Sequence, residues 1–118
     1  MNESNQELYS EMSDNSYERP AQIPIRKSRL NYLLNEYSPK ESDRWIMLNR
    51  QNHFVIYDKK TKFCIYDAEY IGYKDQSEDS EPICAVITQI KINEDPAQHP
   101  SDIEDDFGTV ADLLEKEF

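Results

Sequence analysis

Three runs, WIML at 45–48, HFVIY at 53–57 and KFCIY at 62–66, recur about ten residues apart with polar turns between them. Aromatic and β-branched residues at this spacing suit a pleated surface, and the pattern is that of an antiparallel meander. Residues 53–57 and 62–70 read as a hairpin joined by Asp58-Lys59-Lys60-Thr61. Phe54 and Ile56 with Phe63 and Ile65 are expected on one face, and Val55 and Tyr57 with Cys64 and Tyr66 on the other. Neither face is polar throughout, which predicts that both are at least partly covered. ICAVITQIKI at 83–92 predicts a long strand in the centre of the sheet. Residues 43–49 (DRWIMLN) admit two readings. Ser38-Pro39-Lys40-Glu41 has capping-box form with proline at the first helical position, which would start a helix. The meander spacing favours a strand instead, and the strand is the preferred reading.

The flanks follow other rules. Pro20 and Pro24 keep their stretch extended, so Ile23 and Ile25 form a lead-in strand or run along the core. Leu30, Leu33, Leu34 and Tyr37 fall on one helical face, predicting a helix over 29–37 with Ser28 as N-cap and Ser38-Pro39 as the stop. Residues 94–100 read as a linker with two prolines. Beyond it, Ser101-Asp102-Ile103-Glu104 has capping-box form, and Ile103, Phe107, Val110 and Leu114 share a helical face with Leu113 and Phe118 beside it. Gly108 weakens that helix by about 1 kcal/mol relative to alanine. Thr109 offers a second N-cap, so two short helices are equally allowed. The expected fold class is α+β: an antiparallel meander of three to four strands, an N-terminal helix and a C-terminal acidic amphipathic helix. The expected organisation is a disordered acidic tail at 1–22, a core domain at 23–93, and the linker with its helix at 94–118. A chain of 118 residues has room for one domain.

Charge divides along the same lines. The net charge is -11, which favours solubility and repels nucleic acid and anionic membranes. Residues 1–19 carry five acids and one base, residues 20–73 nine bases and six acids, and residues 94–118 nine acids against Lys116. Acid therefore wraps a mildly basic middle. Two cysteines make no disulfide scaffold, no leader is recognisable, and no apolar run could span a bilayer, so a cytoplasmic setting is expected. With only two glycines the chain lacks the loops that cradle phosphates and dinucleotides.

Catalytic and metal chemistry find little support. Cys64 or Cys84 with His53 are the candidate nucleophile and base, but no motif supplies an oxyanion hole or a third orienting group. His53, Cys64, Cys84 and His99 lack the paired spacing of a zinc site. Asp102, Glu104, Asp105 and Asp106 lack the ladder of a calcium loop. No cofactor, metal or catalytic residue is therefore assigned. Arg26, Lys27 and Arg29, with Lys59, Lys60 and Lys62, form a cationic patch at most, and direct nucleic-acid binding would work against the net charge.

The acidic C-terminal helix is the most informative element. An apolar stripe with an acidic back either docks into a partner's groove or packs on its own sheet, and a sheet in need of cover favours self-packing. The leading expectation is a non-enzymatic protein-binding module, such as an adaptor, an inhibitor or a subunit of an assembly. Its partner would be a protein with a basic surface, and Asp102, Glu104, Asp105, Asp106, Phe107, Asp112, Leu114 and Glu115 are the candidate contacts. Eight tyrosines, each an apolar body with a polar tip, suit an interface. The alternative is a nucleic-acid mimic of the viral anti-defence type, whose carboxylates stand in for phosphates.

Overall fold

Five segments of the chain, most of them rich in aromatic and β-branched residues, build one antiparallel sheet whose better-filled side is sealed by two short helices. The structure, a computed structural model, describes residues 10–40, 43–74 and 80–118. Strand β1 (Ser16–Arg26) leads into α1 (Lys27–Asn31), which continues as a π-helical turn (Tyr32–Glu36). Strands β2 (Trp45–Arg50), β3 (His53–Asp58), β4 (Cys64–Gly72) and β5 (Ile83–Asn93) follow, then α2 (Asp106–Asp112) with a second π-helical turn (Leu113–Glu117).

The sheet order is β1-β5-β4-β3-β2, and every neighbouring pair is antiparallel. Residues 45–50 are thus a strand, and the meander runs through β2 to β5. Five strands form where three to four were expected. The extra one is β1: residues 16–20, expected to be disordered, pair with β5, and beyond a bulge Ile23 and Ile25 pair with it as the lead-in strand. Residues 1–9 of the same tail lie outside the described residues. β5 is an interior strand, but the centre belongs to β4, since β1 occupies only one outer position beyond β5. Between β1 and β2 the chain must cross the full sheet, four strand spacings or about 19 Å. α1 and its π-helical turn begin that crossing over the core side, where Leu33 of the turn is buried.

The core side stacks Trp45, Met47, Phe54, Ile56, Tyr66, Ala68, Ile87, Ile90, Ile92 and Ile25 beneath Leu33, Val110, Leu113 and Leu114. One departure from simple alternation explains the face assignment. A bulge between Ile56 and Tyr57 pairs Ile56 with Tyr66 and Tyr57 with Cys64, leaving Ile65 as the extra residue. The inserted residue reverses the parity beyond it. Cys64 therefore joins Val55 and Tyr57 on the second side as expected, whereas Tyr66 goes to the core side.

Residues 10–15 lie across the second side. The Ser10 N–H donates to Lys62 O at 3.0 Å, the Glu94 N–H donates to Asn15 O at 2.7 Å, and Met12 packs on Val55, Tyr57 and Cys64. Both faces are thus covered at least in part. The sheet edges are also guarded. Pro20 and Pro24 remove donors from β1, and the outer Met47 N–H of β2 donates to Tyr37 Oη at 3.2 Å.

The helix starts differ from their sequence signatures. α1 begins one residue before Ser28, and its Lys27 N–H donates to Pro82 O at 2.8 Å, so a tertiary carbonyl does the work of a cap. At α2 neither Ser101 nor Thr109 caps. Asp105 does, its Oδ1 accepting from the Gly108 N–H at 2.9 Å, and Thr109 lies inside a single helix. A methyl group on Gly108 would collide with this same carboxylate. Gly108→Ala is therefore expected to give no rise in thermal midpoint: the helix-propensity gain of about 1 kcal/mol is offset by a cap worth about the same. A midpoint raised by the full propensity gain would show that the cap carries no weight.

Candidate functional site

Apolar positions three and four residues apart turn Phe107, Val110, Leu113 and Leu114 toward the sheet, and this sets where each nearby acid points. Leu114 is 0% exposed, and Phe107 is packed against the core under the Arg19 guanidinium at 4.8 Å. The helix packs on its own sheet, and its apolar stripe is used there.

A clamp from α1 fixes the far end of α2. Arg29 Nε donates to Leu114 O at 2.6 Å and Arg29 Nη2 to Leu113 O at 3.1 Å. A cation on C-terminal carbonyls is favourable against the helix dipole. Partial burial lowers the Arg29 pKa below its usual value. Sequence reasoning placed Arg29 in a surface patch, and nothing in its local pattern signals the clamp.

The acids divide into two groups. Asp102 forms a bidentate pair with Arg44, at 2.9 and 2.8 Å. The Arg44 hydrogen bond holds the Asp102 carboxyl below the usual carboxylate range. Asp105 is the cap. Asp106 accepts from Tyr66 Oη at 2.6 Å and faces His99 Nε2 at 2.7 Å. These three acids have partners inside the protein. Glu104, Asp112 and Glu115 are exposed, and Glu117, which the sequence reading passed over, is exposed with them. Four exposed acids thus lie along the segment from the α2 lead-in (Glu104) through α2 (Asp112) to the π-helical turn after it (Glu115 and Glu117), while Asp106, Phe107 and Leu114 serve the fold.

The candidate chemistry elsewhere is constrained by burial. Cys64 is 2% exposed, and burial pushes its thiol up to about 12, so thiolate is scarce at neutral pH. His53 Nδ1 lies 2.6 Å from Asp67 Oδ1 at a cleft of about 350 Å³ whose lining includes Arg50, Tyr57 and Cys64. Cys84 is half-buried on β5. Among the described residues no three His, Cys, Asp or Glu side chains converge as a metal site. No helix among them is long and apolar enough to cross a membrane. No protein-family model matches this chain, and no curated protein or solved structure is significantly similar to it.

Proposed function

We propose that the protein is a non-enzymatic binding module that engages a basic protein surface through the exposed acids of α2, its lead-in and the π-helical turn that follows it. The observation that carries this reading is the division of labour along this one C-terminal segment. Val110, Leu113 and Leu114 are buried in the protein's own core, while Glu104, Asp112, Glu115 and Glu117 stay exposed. Recognition by this element would then rest on charge rather than on apolar insertion. Carboxylates on a rigid surface steer a basic partner and mostly raise the association rate, an effect that weakens with salt.

The test is affinity capture from the native source with the wild type and with a Glu104→Lys, Asp112→Lys, Glu115→Lys variant. The wild type is expected to retain a basic protein at moderate salt, and the folded variant to lose it. Equal retention by both, or no stable partner at low salt, overturns the proposal. A second reading, nucleic-acid mimicry, is favoured by the same placement of the acids on and beside a folded helix, since mimicry needs its acids on folded structure. Competition between this protein and duplex DNA for the captured partner supports mimicry, and simultaneous binding sinks it.

A further inference from the structure

The connection from β5 to α2 carries His99, and each of its ring nitrogens faces an oxygen. Nδ1 lies 2.9 Å from the Pro100 carbonyl, and Nε2 lies 2.7 Å from Asp106 Oδ1. The carbonyl has no hydrogen to give. Asp106 Oδ1 already accepts the Tyr66 hydroxyl hydrogen at 2.6 Å. Burial first, and the hydrogen bond to Asp106 second, raise the Tyr66 pKa far above its ordinary value, so the phenol keeps its proton. Two acceptors on a single ring are both satisfied only when the imidazole carries both protons.

We infer that His99, Asp106 and Tyr66 form a proton-dependent latch that pins the first residue of α2 and the preceding connection to β4. The charged ring donates twice, to the Pro100 carbonyl and to Asp106. Asp106 in turn holds the Tyr66 hydroxyl, which rises from the core beside the His99 ring at a centroid distance of 6.5 Å. A neutral ring has one hydrogen for two acceptors and leaves a lone pair against an oxygen. The contact is complete while the ring is charged and Asp106 is ionised, and one hydrogen bond is lost as pH rises and the ring gives up its second proton. The charged neighbours come from every adjoining element. Asp106 and Asp105 belong to α2 and its cap, and Asp102 feels His99 from the connection. Glu94 lines the same cleft beyond β5, and Arg44 approaches from ahead of β2 through Asp102 and acts on Tyr66. This inference goes beyond the binding role and does not depend on it.

The chain has two histidines, so a His53→Asn background leaves His99 as the one imidazole to follow. In that background, nitrogen NMR of the ring followed against pH is expected to show both nitrogens protonated in the folded protein at the acidic end of the series. The thermal midpoint is expected to fall across the same deprotonation step that NMR follows, and His99→Gln to remove that step. A merely structural role would lower the midpoint equally at every pH. Should His99→Gln fail to fold, Asp106→Asn keeps an acceptor for Tyr66 and is expected to remove the same step. A neutral ring in the folded protein at the acidic end, or a midpoint step unchanged by either substitution, overturns the latch.

Discussion

Leu114→Ala is expected to destabilise the protein by about 2–5 kcal/mol, the usual range for truncating a fully buried leucine. Leu114 is 0% exposed and belongs to the same cluster as Ile25, Leu33, Ile87 and Ile90. Removing three carbons there loses transfer energy and opens a cavity that a short helix, clamped through Arg29, can close only in part. Against a typical total of about 5–15 kcal/mol the loss is large. Denaturant unfolding with an unchanged slope would measure it. Glu115→Gln, on the next residue, is expected to leave stability nearly unaltered, as exposed substitutions do. The contrast separates the two sides of α2: affinity for a basic partner should follow Glu115 and, at equal folded fraction, be indifferent to Leu114. A cost below about 1 kcal/mol for Leu114→Ala would mean that α2 does not stay seated on the sheet.

The elements that local pattern specifies were legible, and those set by distant partners were not. The aromatic and β-branched runs HFVIY and ICAVITQIKI mark β3 and β5 because such residues suit a pleated surface that is covered on both sides. β1 is different. Its prolines cannot donate to a ladder, and it forms a strand at the sheet edge with β5 as its single neighbour. The side taken by Tyr66 could not be read, since the bulge at Ile65 is a property of the pairing with β3 rather than of KFCIY. The same distinction governs the candidate site. The apolar and acidic sides of α2 are visible in its periodicity. Which acids are paired within the protein is decided by Arg44, 58 residues from Asp102, and by Tyr66, 40 residues from Asp106. Charge counting treats those two carboxylates like Glu104 and Asp112, although they are paired within the protein.

Asn93 carries the second large expectation, and its role is equally non-local. As the last residue of a strand it has the look of an ordinary turn residue, yet its side chain is 0% exposed. Nδ2 donates to Cys64 O and to Gln98 Oε1, both at 2.8 Å, and Oδ1 accepts the Asp95 N–H at 2.8 Å. One side chain thus ties the end of β5 to the start of β4 and to the first turn of the connection that carries His99. Asn93→Ala leaves the Cys64 carbonyl and the Asp95 N–H without these partners, at an expected cost of roughly 2–4 kcal/mol by equilibrium unfolding, the order expected for buried groups left unsatisfied. Asn93→Asp is nearly isosteric and keeps the acceptor for Asp95, but it sets an ionisable carboxyl against the Cys64 carbonyl oxygen in a buried place. Desolvation raises the folded-state pKa of such a carboxyl above its unfolded value. The protonated form is then the one the fold tolerates, so the deficit of Asn93→Asp relative to wild type should be smallest below the unfolded carboxyl pKa. It should grow as pH rises through the folded one. A deficit that is independent of pH, or smaller at neutral pH than in acid, would show that the side chain at this position reaches water and that the three bonds do not hold the junction.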